Sequence, residues 1–279
     1  SGGEQNSASG VQSTIGGGLS NTASGEYSTV SGGQNNNVSG QNSTIGGGDG
    51  NISDYADSTI GGGQNNKASG YLYGQSTVGG GVNNTASGDR GTVSGGYGNT
   101  ASGEYGSTIG GGYTNTVSSN YATIGGGSYN QVSDQHATIS GGVSNIASGG
   151  GSFVGGGYTN TASGVKSTVG GGYYNVASGS SSTISGGGRY NYPNTASGEY
   201  TFIGGGYGHT ASANLSTISG GISNTASGNN ATIIGGSNNT ASGGYSTVGG
   251  GQNTASGNYA VIGGGVYNTA SGDRTTVSG

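Results

Sequence analysis

A chain of 279 residues holds 72 glycines, one proline, no cysteine and no tryptophan, with 5% charged side chains and a formal charge of −5. Disulfides, thiolate chemistry and Cys-based metal sites are thereby excluded, and the negative balance argues against a phosphate-binding surface, so no nucleic-acid partner is expected. Glycine follows no triplet, which excludes collagen, and no apolar run is long enough for a membrane-spanning helix, so no membrane insertion is expected within this segment.

Internal repetition supplies the elements. In chain order, the first turn pairs an apolar anchor at Ala8 with a second at Ile15; Ala23 and Val30, Val38 and Ile45, and Ile52 and Ile60 follow. Three extra residues then appear near 71–75, around Tyr71, Leu72 and Tyr73, between Ala68 and Val78. The fifteen-residue rhythm resumes, and Phe153 takes the place of the usual Thr before Val154. Four extra residues near 188–193, including Pro193, separate Ile184 from Ala196. The series closes with Ala270 and Val277, making eighteen turns. Both insertions fall at corners, where loops leave a solenoid. The expectation is one continuous repeat array over 1–279, without visible caps. Missing caps point to an excerpt of a longer array or to head-to-tail stacking into filaments.

Short apolar-alternating runs bounded by glycine read as strands, and period-2 alternation sorts their faces. In Asn21-Thr22-Ala23-Ser24-Gly25 the Asn, Ala and Gly point inward and Thr and Ser outward. In the second run Ser28, Val30 and Gly32 point inward, with Thr29 and Ser31 outside and Tyr27 at a corner. The predicted fold is therefore all-β: a thin parallel β-roll or β-solenoid of about 18 coils of ~15 residues, with two short strands per coil and glycine at positive-φ corners. Stacked at ~4.8 Å per step, the coils would make a rod of roughly 85 Å. The column two residues before the first anchor is Asn in sixteen turns, excepting Gly50 and His209. Asn21, Asn36, Asn145, Asn160 and Asn175 belong to it and are predicted to form an inward amide ladder. Ser follows the first anchor in all eighteen turns, and Gly lies two residues past the second anchor in all eighteen.

The A-S-G-x-x-S-T-V-x-G-G pattern resembles the head repeat of trimeric autotransporter adhesins, which implies a left-handed parallel β-roll and an adhesin role. In that family the outward flanking residues are large and apolar and face a trimer axis; here Thr29 and Ser31 occupy them. The run Tyr158-Thr159-Asn160-Thr161-Ala162-Ser163-Gly164 is also similar to the ryegrass-type antifreeze β-roll, built on x-x-N-x-V-x-G. That resemblance implies an ice-binding face of outward Thr and Ser. The corresponding residues are Thr22, Ser24, Thr85, Ser87, Thr100, Ser102, Thr161, Ser163, Thr225, Ser227, Thr240 and Ser242, interrupted at Asn37, Lys67, Gln131 and Ile146. Solvation alone also accounts for polar β-branched residues on an exposed strand.

Chemistry-bearing residues are sparse. His136 falls at a corner and His209 in the Asn column, where it reads as a steric substitute. The acids Glu26, Asp89, Glu104, Glu199 and Asp273 read as corner residues, and the GGG runs lack the Lys-Ser/Thr of a phosphate loop. No catalytic, metal or cofactor site is expected. The nineteen tyrosines lie at or near corners. Tyr97, Tyr113, Tyr158, Tyr173 and Tyr207 share one position and should stack into a ridge. Shielding of an edge, a lateral protein contact and a sugar-stacking strip are all readings of it. The sequence thus leads to a non-enzymatic extracellular or cell-surface fibre or adhesin-like segment, with self-association, carbohydrate, a host surface or ice as partners.

Overall fold

The structure is a computed structural model that describes residues 2–70 and 72–279. It is an all-β parallel solenoid of about 18 turns, with two short strands per turn. Of the first insertion, Tyr71 lies outside the described residues. The chain forms two compact units, Ser1–Gly141 and Gly142–Gly279.

In the first unit, strands such as Thr22–Ala23, Asn37–Val38 and Thr85–Ala86 stack in parallel as one sheet, and Thr29–Val30, Thr44–Ile45 and Thr59–Ile60 as the other. In the second unit Thr161–Ala162 and Val176–Ala177 build the first sheet, and Thr168–Val169 and Thr183–Ile184 the second. Like residues stack on like: Ala162 lies between Ala147 and Ala177, and Val169 between Val154 and Ile184. Away from the first and last turns, the inward Ala, Ile and Val are fully buried, as are Asn21, Ser28 and their equivalents. Each turn therefore buries few apolar groups, and its stability comes from coupling to its neighbours.

That coupling runs through the Asn column. Asn36 donates its backbone N–H to Asn21 Oδ1 at 3.0 Å. Its side-chain Nδ2 donates to the Gly32 carbonyl of its own turn at 3.1 Å and to the Gly48 carbonyl of the next at 2.9 Å. Its own Oδ1 accepts the backbone N–H of Asn51 at 3.1 Å. One carboxamide thus satisfies groups on three turns, where an unpaired buried group would be costly.

Three expectations need correction or extension. First, Ile52 is not an inward anchor. Strand Ile52–Ser53 pairs Ile52 with Asn37 and Lys67, and Ser53 with Val38 and Ala68, leaving Ile52 outside and Ser53 buried. Asn51, not Gly50, then occupies the ladder, so the column is Asn in seventeen turns, with His209 the one exception. The Ser column correspondingly breaks at Asp54. The amide ladder and backbone register outweigh the apolarity of one Ile.

Second, the glycines expected at positive-φ corners are there, Gly33 and Gly172 among them, but residues other than glycine hold positive-φ corners as well. Tyr27, Tyr121 and Leu215, and even β-branched Thr114, adopt φ of 55°, 54°, 60° and 53°, at roughly 1–2 kcal/mol each. Backbone bonds between turns offset the strain, such as Tyr27 N–H to Val11 O at 2.9 Å and Thr114 N–H to Tyr97 O at 2.8 Å. Third, Gly32 is half-buried and has open space around it, its nearest neighbour being the Gly17 carbonyl at 3.9 Å. The steric demand falls one residue later: a Cβ on Gly33, at φ 92°, would run into the Gly48 carbonyl.

His209 fits the ladder imperfectly. Its N–H reaches Asn194 Oδ1 at 3.1 Å, and its Nδ1 accepts the Asn224 N–H at 3.1 Å, which fixes the proton on Nε2. Nε2 is buried with no acceptor in hydrogen-bonding geometry. Burial pushes the imidazole pKa below its ordinary 6.5. The unfolded chain therefore takes up the proton first as pH falls, so stability is complete above about 6.5 and declines as pH drops through the lowered folded-state value. His209→Asn should raise the unfolding temperature and flatten this acid slope; an unchanged pH profile would remove His209 as its source.

Candidate functional site

The repeated surface is the candidate site. On the sheet of Ala strands, Thr22, Thr85, Thr100, Thr161, Thr225 and Thr240 are half-buried and outward, with Ser24, Ser102, Ser163, Ser227 and Ser242 exposed and Ser87 half-buried beside them. Non-Thr residues break this face, including the consecutive Asn37, Ile52 and Lys67. The Ile/Val sheet of the first unit is more regular. There the outward column is Thr14, Thr29, Thr44, Thr59, Thr77, Thr92, Thr108, Thr123 and Thr138, each in register with the next. In the second unit the same column carries Phe153, Phe202 and Val261 among its threonines.

The expected tyrosine ridge is present within each unit. Tyr97 bridges Tyr113, and Tyr158 bridges Tyr173, in parallel register. The Tyr97 and Tyr113 rings stack with centroids 5.1 Å apart and planes within 8°. Tyr113 also meets Tyr129 edge-on at 5.4 Å, and the hydrogen bond between their phenols holds the Tyr113 pKa above its ordinary value. Tyr207 is half-buried and contacts Tyr192 rather than Tyr173.

Sequence reasoning missed Tyr129, Tyr174, Tyr190 and Tyr192 as ridge members. The signal was available: Tyr129 and Tyr174 occupy the left-handed corner just before the ladder Asn, adjacent to the ridge position. It also missed a second aromatic edge, after the Ala strands, where Tyr121 stacks on His136 at 5.3 Å and Tyr245 on Tyr259 at 4.9 Å. Arg274 lies 6.0 Å over the Tyr259 ring.

Asp89 lies at a corner, as expected, and is fully buried there. Its carboxylate accepts the backbone N–H groups of Leu72 at 2.8 Å, Tyr73 at 3.0 Å and Gly74 at 3.2 Å. The first insertion is thus fastened to the following turn. Asp89→Asn replaces an acceptor by a donor facing those N–H groups and removes charge-assisted bonds together worth about 1.5–3 kcal/mol. Proteolysis near Leu72 and Tyr73 should accelerate several-fold; unaltered cleavage would mean that the carboxylate does not hold the loop.

Among the described residues no helix is long and apolar enough to cross a membrane, and no group of three or more His, Cys, Asp or Glu is placed to hold a metal. Lys67 forms an ion pair with Asp54, at 3.3 Å, on the surface of the Ala sheet. No protein-family model matches the chain, and no curated protein aligns with it significantly.

Proposed function

We propose that the chain is a non-catalytic structural segment of an extracellular fibre or adhesin stalk, working through its repeated surface and by association with further copies. The observation that supports this reading is the use of the interior polar side chains. The inward carboxamides bind turn to turn, while the outward Thr columns repeat in register. Such an array is stiff, and it presents many equivalent weak contacts instead of one pocket. Negative-stain microscopy of the purified chain over a hundredfold concentration range tests it. Filaments or lateral bundles that lengthen with concentration are expected; isolated single-chain particles at every concentration would contradict the reading.

The uninterrupted Thr column of the first unit favours a second reading, an ice-binding face. It shifts the candidate face from the interrupted Ala sheet to the Ile/Val sheet. Inhibition of ice recrystallisation, abolished by Thr59→Tyr with Thr92→Tyr but not by Thr22→Tyr, is the expected result. No inhibition by the unaltered chain would dismiss it.

A further inference from the structure

The second unit holds one aromatic surface whose ring faces stay open. Tyr158 and Tyr173 are tilted by 32° at 6.2 Å, and Tyr174 lies 5.7 Å from Tyr158 at 60°. Tyr190 meets Tyr174 edge-on at 5.3 Å and 79°, and Tyr192 meets Tyr207 in the same manner at 6.0 Å and 64°. This differs from Tyr97–Tyr113 and Tyr245–Tyr259, whose parallel rings cover one another. An edge-to-face pair leaves ring faces accessible, and Tyr190 and Tyr173 are 70% and 57% exposed.

The second insertion creates this surface. Arg189 N–H donates to the Tyr192 carbonyl at 3.1 Å, and Tyr192 N–H donates to the Arg189 carbonyl at 2.8 Å. The Tyr192 carbonyl also accepts the Gly208 N–H of the next turn at 3.0 Å. The small loop is therefore pinned to the solenoid, and its two tyrosines are held in place before any ligand arrives, which lowers the entropic cost of binding.

We propose that this six-tyrosine surface binds a neutral polysaccharide. A pyranose ring has an apolar C–H face and a hydroxylated rim, so it needs an open aromatic face bordered by hydrogen-bonding groups. Tyr173 and Tyr190 supply the faces; the phenol hydroxyls, Asn191 and Arg189 supply the border. The chain's net charge of −5 disfavours anionic sugars. Size also separates a sugar chain from a protein partner. The patch spans four successive turns, roughly 15 Å at the strand spacing, and is one or two side chains wide. That falls far short of the ~800 Å² per partner of a stable protein interface, but it suits several sugar units of one extended strand.

Affinity electrophoresis through gels containing mixed-linkage β-glucan, xylan or galactomannan, with sedimentation on microcrystalline cellulose and on chitin, provides the test. The unaltered chain should be retained by at least one of the five. Tyr190→Ser with Tyr192→Ser should weaken that retention at least tenfold at an unchanged unfolding temperature, and Tyr97→Ser with Tyr113→Ser should leave it intact. Should the loop variant unfold earlier, Tyr173→Ser, within a regular turn, replaces it with the same expectation. Retention by none of the five, or equal retention of the variants at either position, would overturn the proposal. The fibre reading is judged separately by microscopy, so the two can fail independently.

Discussion

Asn160→Asp is expected to destabilise the second unit by about 3–5 kcal/mol at neutral pH, the cost of leaving a buried charge without a partner. Asn160 Nδ2 donates to the carbonyls of Gly156 at 2.9 Å and Gly172 at 2.8 Å, and its Oδ1 accepts the Asn175 N–H at 3.0 Å. A carboxylate keeps the acceptor but turns its second oxygen toward two carbonyl oxygens. Protonation would restore one donor, so the variant should regain stability as the pH is lowered, opposite to the acid slope assigned to His209. Thermal unfolding followed by circular dichroism at pH 7 and pH 4 checks this. A variant as stable as the parent at pH 7 would mean that the carboxamide is not engaged as described.

Gly172→Ala should be comparably damaging, whereas Gly171→Ala, one residue away, should be nearly silent. Gly172 has φ 93°, and an added Cβ would collide with the Gly187 carbonyl and come within 2.7 Å of Asn175 Nδ2. Left-handed strain alone costs about 1–3 kcal/mol, and the clash has no flexible neighbour to absorb it. At Gly171 the nearest atom to a new Cβ is the Gly156 carbonyl oxygen, at 3.9 Å, and φ lies outside the range of +20° to +160° that strains an L side chain. Reduced freedom in the unfolded chain could even make that variant more stable, by about 0.4–1 kcal/mol. Paired urea titrations decide the matter: equal effects at the two positions would contradict the stacking.

These two positions show what the sequence could and could not convey. The repeat length, the inward Ala, Ile and Val, and the inward Asn follow from period-2 alternation once the columns are aligned. Alignment by apolarity failed at Ile52-Ser53, because the ladder at Asn51 sets the register there and leaves Ile52 38% exposed. Invariance also misled. Gly171 belongs to the column without exceptions, yet open space surrounds it; backbone angle, not space, distinguishes several of its equivalents, such as Gly47 at φ 144° and Gly156 at φ 147°. The column one residue later is glycine just as invariably, from Gly18 to Gly265, and only the placing of one turn on the next shows that its members face the tighter contact.

The surface was legible in part. Tyr97, Tyr113, Tyr158 and Tyr173 share a sequence position, and Tyr97 pairs with Tyr113, and Tyr158 with Tyr173, along the edge of their own units. Whether rings stack face-to-face or edge-on depends on the corner residues and on the Arg189–Tyr192 pairing, which no column reveals. The burial of Asp89 was not legible because its three N–H donors lie in an irregular insertion fifteen or more residues away.

The most direct test of the ladder at the centre of this account is hydrogen exchange of Asn side-chain amides, measured by NMR on protein labelled with ¹⁵N at asparagine. The carboxamides of Asn36, Asn51, Asn99, Asn160 and Asn175 are buried and donate to carbonyls. They should exchange orders of magnitude more slowly than the corner residues Asn35, Asn42 and Asn230. Uniformly fast exchange across both groups would contradict an inward amide ladder, and with it the solenoid interior described above.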